Sequence, residues 1–306
     1  MRAEPVARGV HRLRTLFVNV YFVRDGTSGG WVLIDTGLPR FAASIRQVAR
    51  SLFGGGPLAI LLTHGHLDHV GVVRTLADDW GVPVYAHPLE LPYLTGRSKY
   101  PPADPSVGGG ALSWMSGLVP RAPIDLGSRV HMLPLNGIVP GLPEWQWLQT
   151  CGHTPGHVSF FRERDRTLIA GDAVATTKQE SVLAALLQRP TLVWRPPAAF
   201  TPDWNGARRS VETLAALEPE VLAAGHGRVM YGAPARRGLR DLADRFDQYM
   251  PASGRYIPYP AVADERGVVH VPPRARAAIG GATVAAGVGA AALGLGLMAL
   301  ARRRQH

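Results

Sequence analysis

The chain has 306 residues, 46% hydrophobic and 18% charged, which fits a globular protein with a sizeable core and excludes a disordered one. Its formal charge is +10, carried by arginines except at Lys99 and Lys178, and their scatter along the chain argues against a nucleic-acid binder. The single cysteine, Cys151, excludes an internal disulfide and fits a reducing compartment.

No continuous apolar stretch follows Met1–Arg8, so no secretory leader is expected and the main domain is expected in the cytoplasm. Val18–Val23 and Trp31–Ile34 are apolar and rich in β-branched residues, with a glycine-rich turn at Gly26–Gly30 between them, which predicts a hairpin. Asp35-Thr36-Gly37 ends its second strand. Phe41, Ile45, Val48 and Leu52 recur at helical spacing, and Gly54–Gly56 and Pro57 stop that helix. Ala59–Leu62 reads as a buried strand, and Val70–Trp80 as a helix closed by Gly81. From Pro88 to Pro143 prolines and glycines leave little regular structure beyond a helix at Leu112–Leu118 and a strand at Arg129–Leu133. A loop region this long inside a domain is commonly functional, and it carries Tyr93, Tyr100 and Trp114, read as packing residues or substrate contacts. Strands are predicted at Trp145–Thr150, Val158–Arg162, Thr167–Ala170 and Val221–Ala224, and helices at Arg208–Leu217 and Gly238–Tyr249. The domain is bounded at residues 1–250, with 251–276 a linker. Residues 277–301 hold no charge and are flanked by arginines, a candidate membrane-spanning helix whose alternatives are a flexible Gly/Ala-rich tail or a helix docked on the domain.

The chemistry sits in Thr63-His-Gly-His-Leu-Asp-His69. Four metal-ligand side chains fall within six residues, directly after an apolar strand. Gly65 and the irregular spacing rule out a helix as scaffold, so a loop must turn them towards neighbouring points. Imidazole and carboxylate suit zinc, with iron or manganese as rivals. Three more ligand-type residues follow apolar strands beside glycine: His153 in Cys151-Gly-His153-Thr-Pro-Gly-His157, Asp172 after Gly171, and His226 between Gly225 and Gly227. No Gly-Xaa-Ser-Xaa-Gly nucleophile elbow is present, and Cys151 reads as a small buried residue.

As a set, these motifs resemble the metallo-β-lactamase-fold hydrolase superfamily, in its glyoxalase II and lactonase-like branch, over about residues 10–235. The resemblance implies an α+β fold, a four-layer αβ/βα sandwich. It implies two metal ions, zinc first among the candidates, with His64, His66 and His153 on one, Asp68, His69 and His226 on the other, and Asp172 bridging them. Asp35 and His157 would support the ligands from behind, and Asp68 would also relay a proton. The implied reaction is hydrolysis of a small ester, thioester or lactone by hydroxide generated between the metals. Two alternatives stay open: a mononuclear-iron oxygenase using the same ligands, and a nucleic-acid phosphodiesterase. True β-lactamases of this fold lack the bridging Asp, so Asp172 speaks against that activity. The short interval from Asp172 to His226 leaves little room for the large insert of the nucleic-acid-processing branch.

Overall fold

The structure, a computed structural model, describes residues 1–26, 29–119 and 124–274. The first strands are β1 (Glu4–Ala7), β2 (Val10–Thr15), β3 (Val18–Arg24), β4 (Trp31–Ile34), β5 (Ile60–Leu61), β6 (Val84–Ala86) and β7 (Val130–Met132), side by side in that order in one sheet. The second sheet runs β13-β12-β11-β10-β9-β8, from β8 (Ile138–Val139), β9 (Leu142–Gln149), β10 (Val158–Arg162), β11 (Thr167–Gly171), β12 (Val221–Ala224) and β13 (Met230–Tyr231).

The alternation of side chains along each strand builds three apolar layers. In β3, Val20 and Phe22 face helices α1 (Ala42–Phe53) and α3 (Val73–Trp80), where Ile45, Val48, Val73 and Leu76 meet them. Tyr21 and Val23 face the other way, onto Trp145, Phe160 and Ile169 of the second sheet. On that sheet's far side Phe161, Leu168 and Leu222 pack under α7 (Trp204–Ala216) and α8 (Gly232–Asp244), through Val211, Leu214, Leu239 and Leu242. The order helix, sheet, sheet, helix is the expected four-layer sandwich.

Several boundaries differ from the sequence reading. The helix expected at Val70–Trp80 is two pieces, because α2 (Leu67–Val70) forms a single turn before α3 and places Asp68 and His69 on helix rather than loop. The break falls at Val72, whose φ of −130° and ψ of 16° leave the helical region, directly after Gly71. A methyl group at residue 71 would lie 2.4 Å from Pro39 N and 2.6 Å from Gly37 O, so the chain can pass the Asp35–Gly37 turn only without a side chain. The region after Pro88 holds α4 (Leu91–Leu94) and α5 (Ala111–Met115), the latter extended as a 3-10 turn over Ser116–Leu118. α6 (Val182–Leu187) was not anticipated. α8 begins six positions before the expected Gly238, since Pro234 sits harmlessly in its first turn, and α9 (Phe246–Tyr249) completes the expected span.

Of the segment read as linker, residues 251–274 are instead packed on the domain. They contain the hairpin β14 (Val262–Asp264) and β15 (Gly267–His270), and Tyr256 is buried, donating to Pro102 O at 2.6 Å. The apolar run 277–301 lies outside the described residues; among those described, no helix is long and apolar enough to cross a membrane.

Gly71→Ala should destabilise the fold by about 1–3 kcal/mol, the usual effect of forcing atoms into a packed interior, and lower the melting temperature by several degrees. Gly55→Ala, where nothing lies within 4 Å of the added methyl, should be neutral or slightly stabilising. Thermal melts of the two variants side by side check this.

Candidate metal centre

The sandwich brings the ends of β4, β5, β9, β11 and β12 to one edge, and every candidate ligand sits just beyond one of these ends. Two backbone bonds stitch the sheets together there: Val158 N to Thr63 O at 3.0 Å and Asn19 N to Gly225 O at 2.8 Å. Asp35 closes β4 with a left-handed backbone, φ +60°, a conformation Asp tolerates better than most residues. Its Oδ1 accepts from Thr63 N at 2.8 Å, while its Oδ2 accepts from Thr63 Oγ1 and faces His69 Nδ1, each at 2.8 Å.

These bonds set the histidine tautomers. The Thr63 hydroxyl proton goes to Asp35, so towards His64 Nδ1, 3.1 Å away, it can only accept. His64 thus carries its proton on Nδ1 and presents Nε2. His69 donates from Nδ1 to Asp35 and likewise presents Nε2. His226 Nδ1 lies 3.1 Å from Phe17 O, a pure acceptor, with the same result. His157 differs: its Nε2 accepts from Asp172 N at 2.9 Å and its Nδ1 faces Thr150 Oγ1 at 2.8 Å, so both nitrogens are committed. It lies outside the converging groups and holds the backbone of Asp172 in place.

The seven candidates converge. His66 Nδ1 lies 3.0 Å from His64 Nε2 and 2.9 Å from His153 Nε2. On the other side His226 Nε2 lies 3.4 Å from Asp68 Oδ2, and His69 Nε2 lies 3.9 Å from it. Asp172 stands between: Oδ2 is 3.1 Å from His226 Nε2 and 3.6 Å from His153 Nε2, and Oδ1 is 3.5 Å from His69 Nε2. In each of the sets His64–His66–His153, His64–His69–Asp172 and Asp68–His69–His226, the ligand atoms lie within 4.8 Å of one another. His69 Nε2 and Asp172 Oδ1 are buried and make no hydrogen bond among the described residues. Converging nitrogens and carboxylate oxygens, with the tautomers of His64, His69 and His226 already set, fit a divalent cation.

Electrostatically the two sides differ. Burial holds His64 and His153 well below the ordinary imidazole range, and His66 at about 4. Burial opposes charge at His226 too, but Asp172 and Asp68 outweigh it and raise its pKa to about 10. His69 is raised likewise, by Asp172 and Asp35 against burial. In the metal-free protein the first trio is therefore neutral at pH 7 and the second holds protons.

A cleft opens beside His66 and His153, walled by Tyr100, Pro101, Pro102, Phe200, Pro202 and Tyr256. Tyr100 packs against His66, ring centroids 4.6 Å apart, and stacks on the buried Tyr93 at 4.0 Å. Trp114 is 70% exposed and does not line this cleft. Cys151 is half-buried, and burial pushes its thiol pKa up, away from a reactive thiolate. Phe200, Tyr256 and the buried Glu90 were not singled out from the sequence. Glu90 carried one signal, its position between Leu89 and Leu91 in an otherwise apolar stretch.

Because ligand protons must leave when a metal binds, Zn2+ binding to the His64–His66–His153 side at pH 7 should release no proton from its ligands. Binding to the Asp68–His69–His226 side should release at least one, and its apparent affinity should rise by about tenfold per proton for each pH unit up to about pH 10. Calorimetric titration in buffers of differing ionisation enthalpy measures this directly.

A model described as the metallo-beta-lactamase superfamily matches residues 13–226. The chain is similar to the probable metallo-hydrolase YflN of Bacillus subtilis (strain 168), with 47% identity over 242 residues, covering 78% of this chain and 91% of that protein. It is also similar to the probable metallo-hydrolase YybB of the same organism, 29% identical over 210 residues, covering 69% of this chain and 80% of that one. Among solved structures, BJP-1, a subclass B3 metallo-beta-lactamase of Bradyrhizobium japonicum, superposes with a TM-score of 0.56 at 20% identity, covering 81% of this chain and 93% of that one. At that identity the likeness speaks for the fold alone. The matched span contains all seven converging residues, and the chain belongs to the metallo-beta-lactamase superfamily as a metal-dependent hydrolase.

Proposed function

We propose that this hydrolase is dinuclear and cleaves a small, uncharged ester, thioester or lactone. The observation that carries the reading is the place of Asp172, whose carboxylate lies within 3.6 Å of ligand nitrogens on both sides of the site. His64, His66 and His153 would hold one ion, Asp68, His69 and His226 the other, and Asp172 would be shared. Zinc suits the imidazole and carboxylate donors, and iron or manganese would accept the same set. Bound there, a metal pair supplies a water of lowered pKa and polarises the scissile carbonyl.

The chain's own groups supply the rest. The cleft beside His66 and His153 is walled by aromatic rings and prolines, and among the described residues no lysine or arginine lines it. The phosphates flanking the scissile group of a nucleic acid would find no cationic side chain on the described walls of the cleft, whereas an apolar arm of an ester would displace water from matching surface. Asp68 is the more open of the two site carboxylates, its side chain 28% exposed against 3% for Asp172. A proton taken up at Asp68 can pass to solvent, while Asp172 is placed to hold geometry.

The purified protein should carry about two zinc per chain and hydrolyse members of an ester, thioester and lactone panel but not phosphodiesters. Asp172→Ala should lose metal and lower kcat/KM by more than the about 10–100-fold typical of losing an outer partner. One iron per chain, with oxygen uptake and no hydrolysis, would overturn the reading in favour of an oxygenase. Phe200→Ala should raise KM for substrates with an apolar arm while leaving kcat nearly unchanged, the signature of binding shared by ground and transition states; steady-state kinetics on the best panel member reads it.

A further inference from the structure

Behind the ligand histidines lies a carboxylate that is not itself among them. Glu90 is completely buried on the turn leading into α4. Its Oε1 accepts from Thr154 Oγ1 at 2.7 Å and Gly156 N at 2.9 Å. Its Oε2 accepts from Gly65 N at 2.9 Å and from the Tyr100 hydroxyl. Gly65 separates His64 from His66, and Thr154 follows His153. One side chain thus grips the loops that carry all three members of the neutral trio, and also the aromatic wall of the cleft.

The glycines of both motifs make this possible. A methyl group at residue 65 would lie 2.6 Å from the Tyr100 hydroxyl, and one at residue 156 would lie 2.9 Å from Glu90 Cγ and from His87 Nδ1. All four partners of Glu90 are donors, and two are backbone N–H groups that cannot reverse their role. A carboxylate can accept from all four at once, and these hydrogen bonds partly offset the burial that pushes the Glu90 pKa up.

We infer that Glu90 is a positioning residue, acting through Gly65, Thr154 and Gly156 to fix the spacing of His64, His66 and His153, and through Tyr100 to join that spacing to the substrate cleft. The inference rests on the two-metal reading for its distinction between the sides of the site. A carboxylate that merely stabilised the fold would weaken both sides together. A positioning residue weakens its own trio and spares Asp68, His69 and His226, whose support comes from Asp35 and the Phe17 carbonyl.

The test is a Co2+ titration followed by visible absorption on wild type, Glu90→Gln and Asp35→Asn, with His153→Ala and His226→Ala assigning the two phases. Whichever way the new amide turns, its NH2 faces one of the two backbone N–H groups. Glu90→Gln should weaken binding at the trio by about 10–100-fold and leave the other side within about twofold, whereas Asp35→Asn, which meets His69 directly and His64 through Thr63, should weaken both sides. In the metal-free proteins, amide exchange at Gly65 or Gly156 should speed up at least about tenfold in Glu90→Gln, the factor that loss of one net hydrogen bond allows. Wild-type affinity at the trio, equal loss on both sides, or unchanged exchange at both glycines overturns the inference. If wild type binds a single equivalent, the two-metal reading falls, and the exchange measurement still decides for or against Glu90. If Glu90→Gln does not fold, Thr154→Val removes one of the four bonds and decides instead: weakening of the trio alone supports the inference, and no change or loss on both sides overturns it.

Discussion

A carboxylate withdrawn from water costs several kcal/mol unless donors or countercharge meet it at close range. Asp35 is 2% exposed, and Thr63 N, Thr63 Oγ1 and His69 Nδ1 meet it. Much of the site follows from satisfying that one group. The end of β5 must come close enough for Thr63 to offer both its donors. The Thr63 hydroxyl, committed to Asp35, is left only its acceptor role towards His64. His69 must point Nδ1 inwards. Two ligand rings on two different groups of the site therefore take their tautomers from a single carboxylate that belongs to neither. The tight passage of Gly71 against Gly37 and Pro39 is the steric counterpart of the same arrangement, since α2 has to lie against the Asp35 turn for His69 to reach it.

The asymmetry of the site follows from what surrounds each half. His64, His66 and His153 sit among one another, so burial and mutual repulsion both keep them neutral. His69 and His226 sit among Asp35, Asp68 and Asp172, and there the carboxylates prevail over burial. Asp172 is the hinge between the two regimes, its backbone held by His157 and its carboxylate facing both. The neutral half opens onto apolar walls, and the charged half reaches solvent through Asp68.

The residues that converge were legible in the sequence because they combine two local signals, a ligand-type residue and an apolar strand ending beside glycine. The four layers were legible through the alternation of residues such as Val20, Tyr21, Phe22 and Val23. What escaped lacked a local pattern. Glu90 is one glutamate in a proline-broken stretch, and its four partners lie at residues 65, 100, 154 and 156, contacts that only the folded chain creates. The region 251–276 was read as a linker, with Pro251, Ser253, Gly254, Pro258 and Pro260 breaking any periodicity, yet Tyr256 anchors its described part through one buried ring. The cleft is assembled from Tyr100, Phe200 and Tyr256, three aromatics about a hundred or fewer positions apart in turn, none of which signals the others.

The net charge of +10 invites a nucleic-acid reading, against which two features of the described residues weigh. Arg46, Arg129, Arg208, Arg236, Arg240 and Arg245 pair with Asp79, Asp78, Asp247, Glu220, Glu218 and Asp241 on the surface. Such pairs contribute little stability each, but they locally neutralise the field that a polyanion would follow. Arg162 and Arg195 are buried, committed to Asp165 and to Glu180. A nucleic-acid enzyme needs its cations gathered where the phosphates pass. Among the described residues the cleft beside His66 and His153 is walled by rings and prolines instead, which supports the small-substrate reading proposed above.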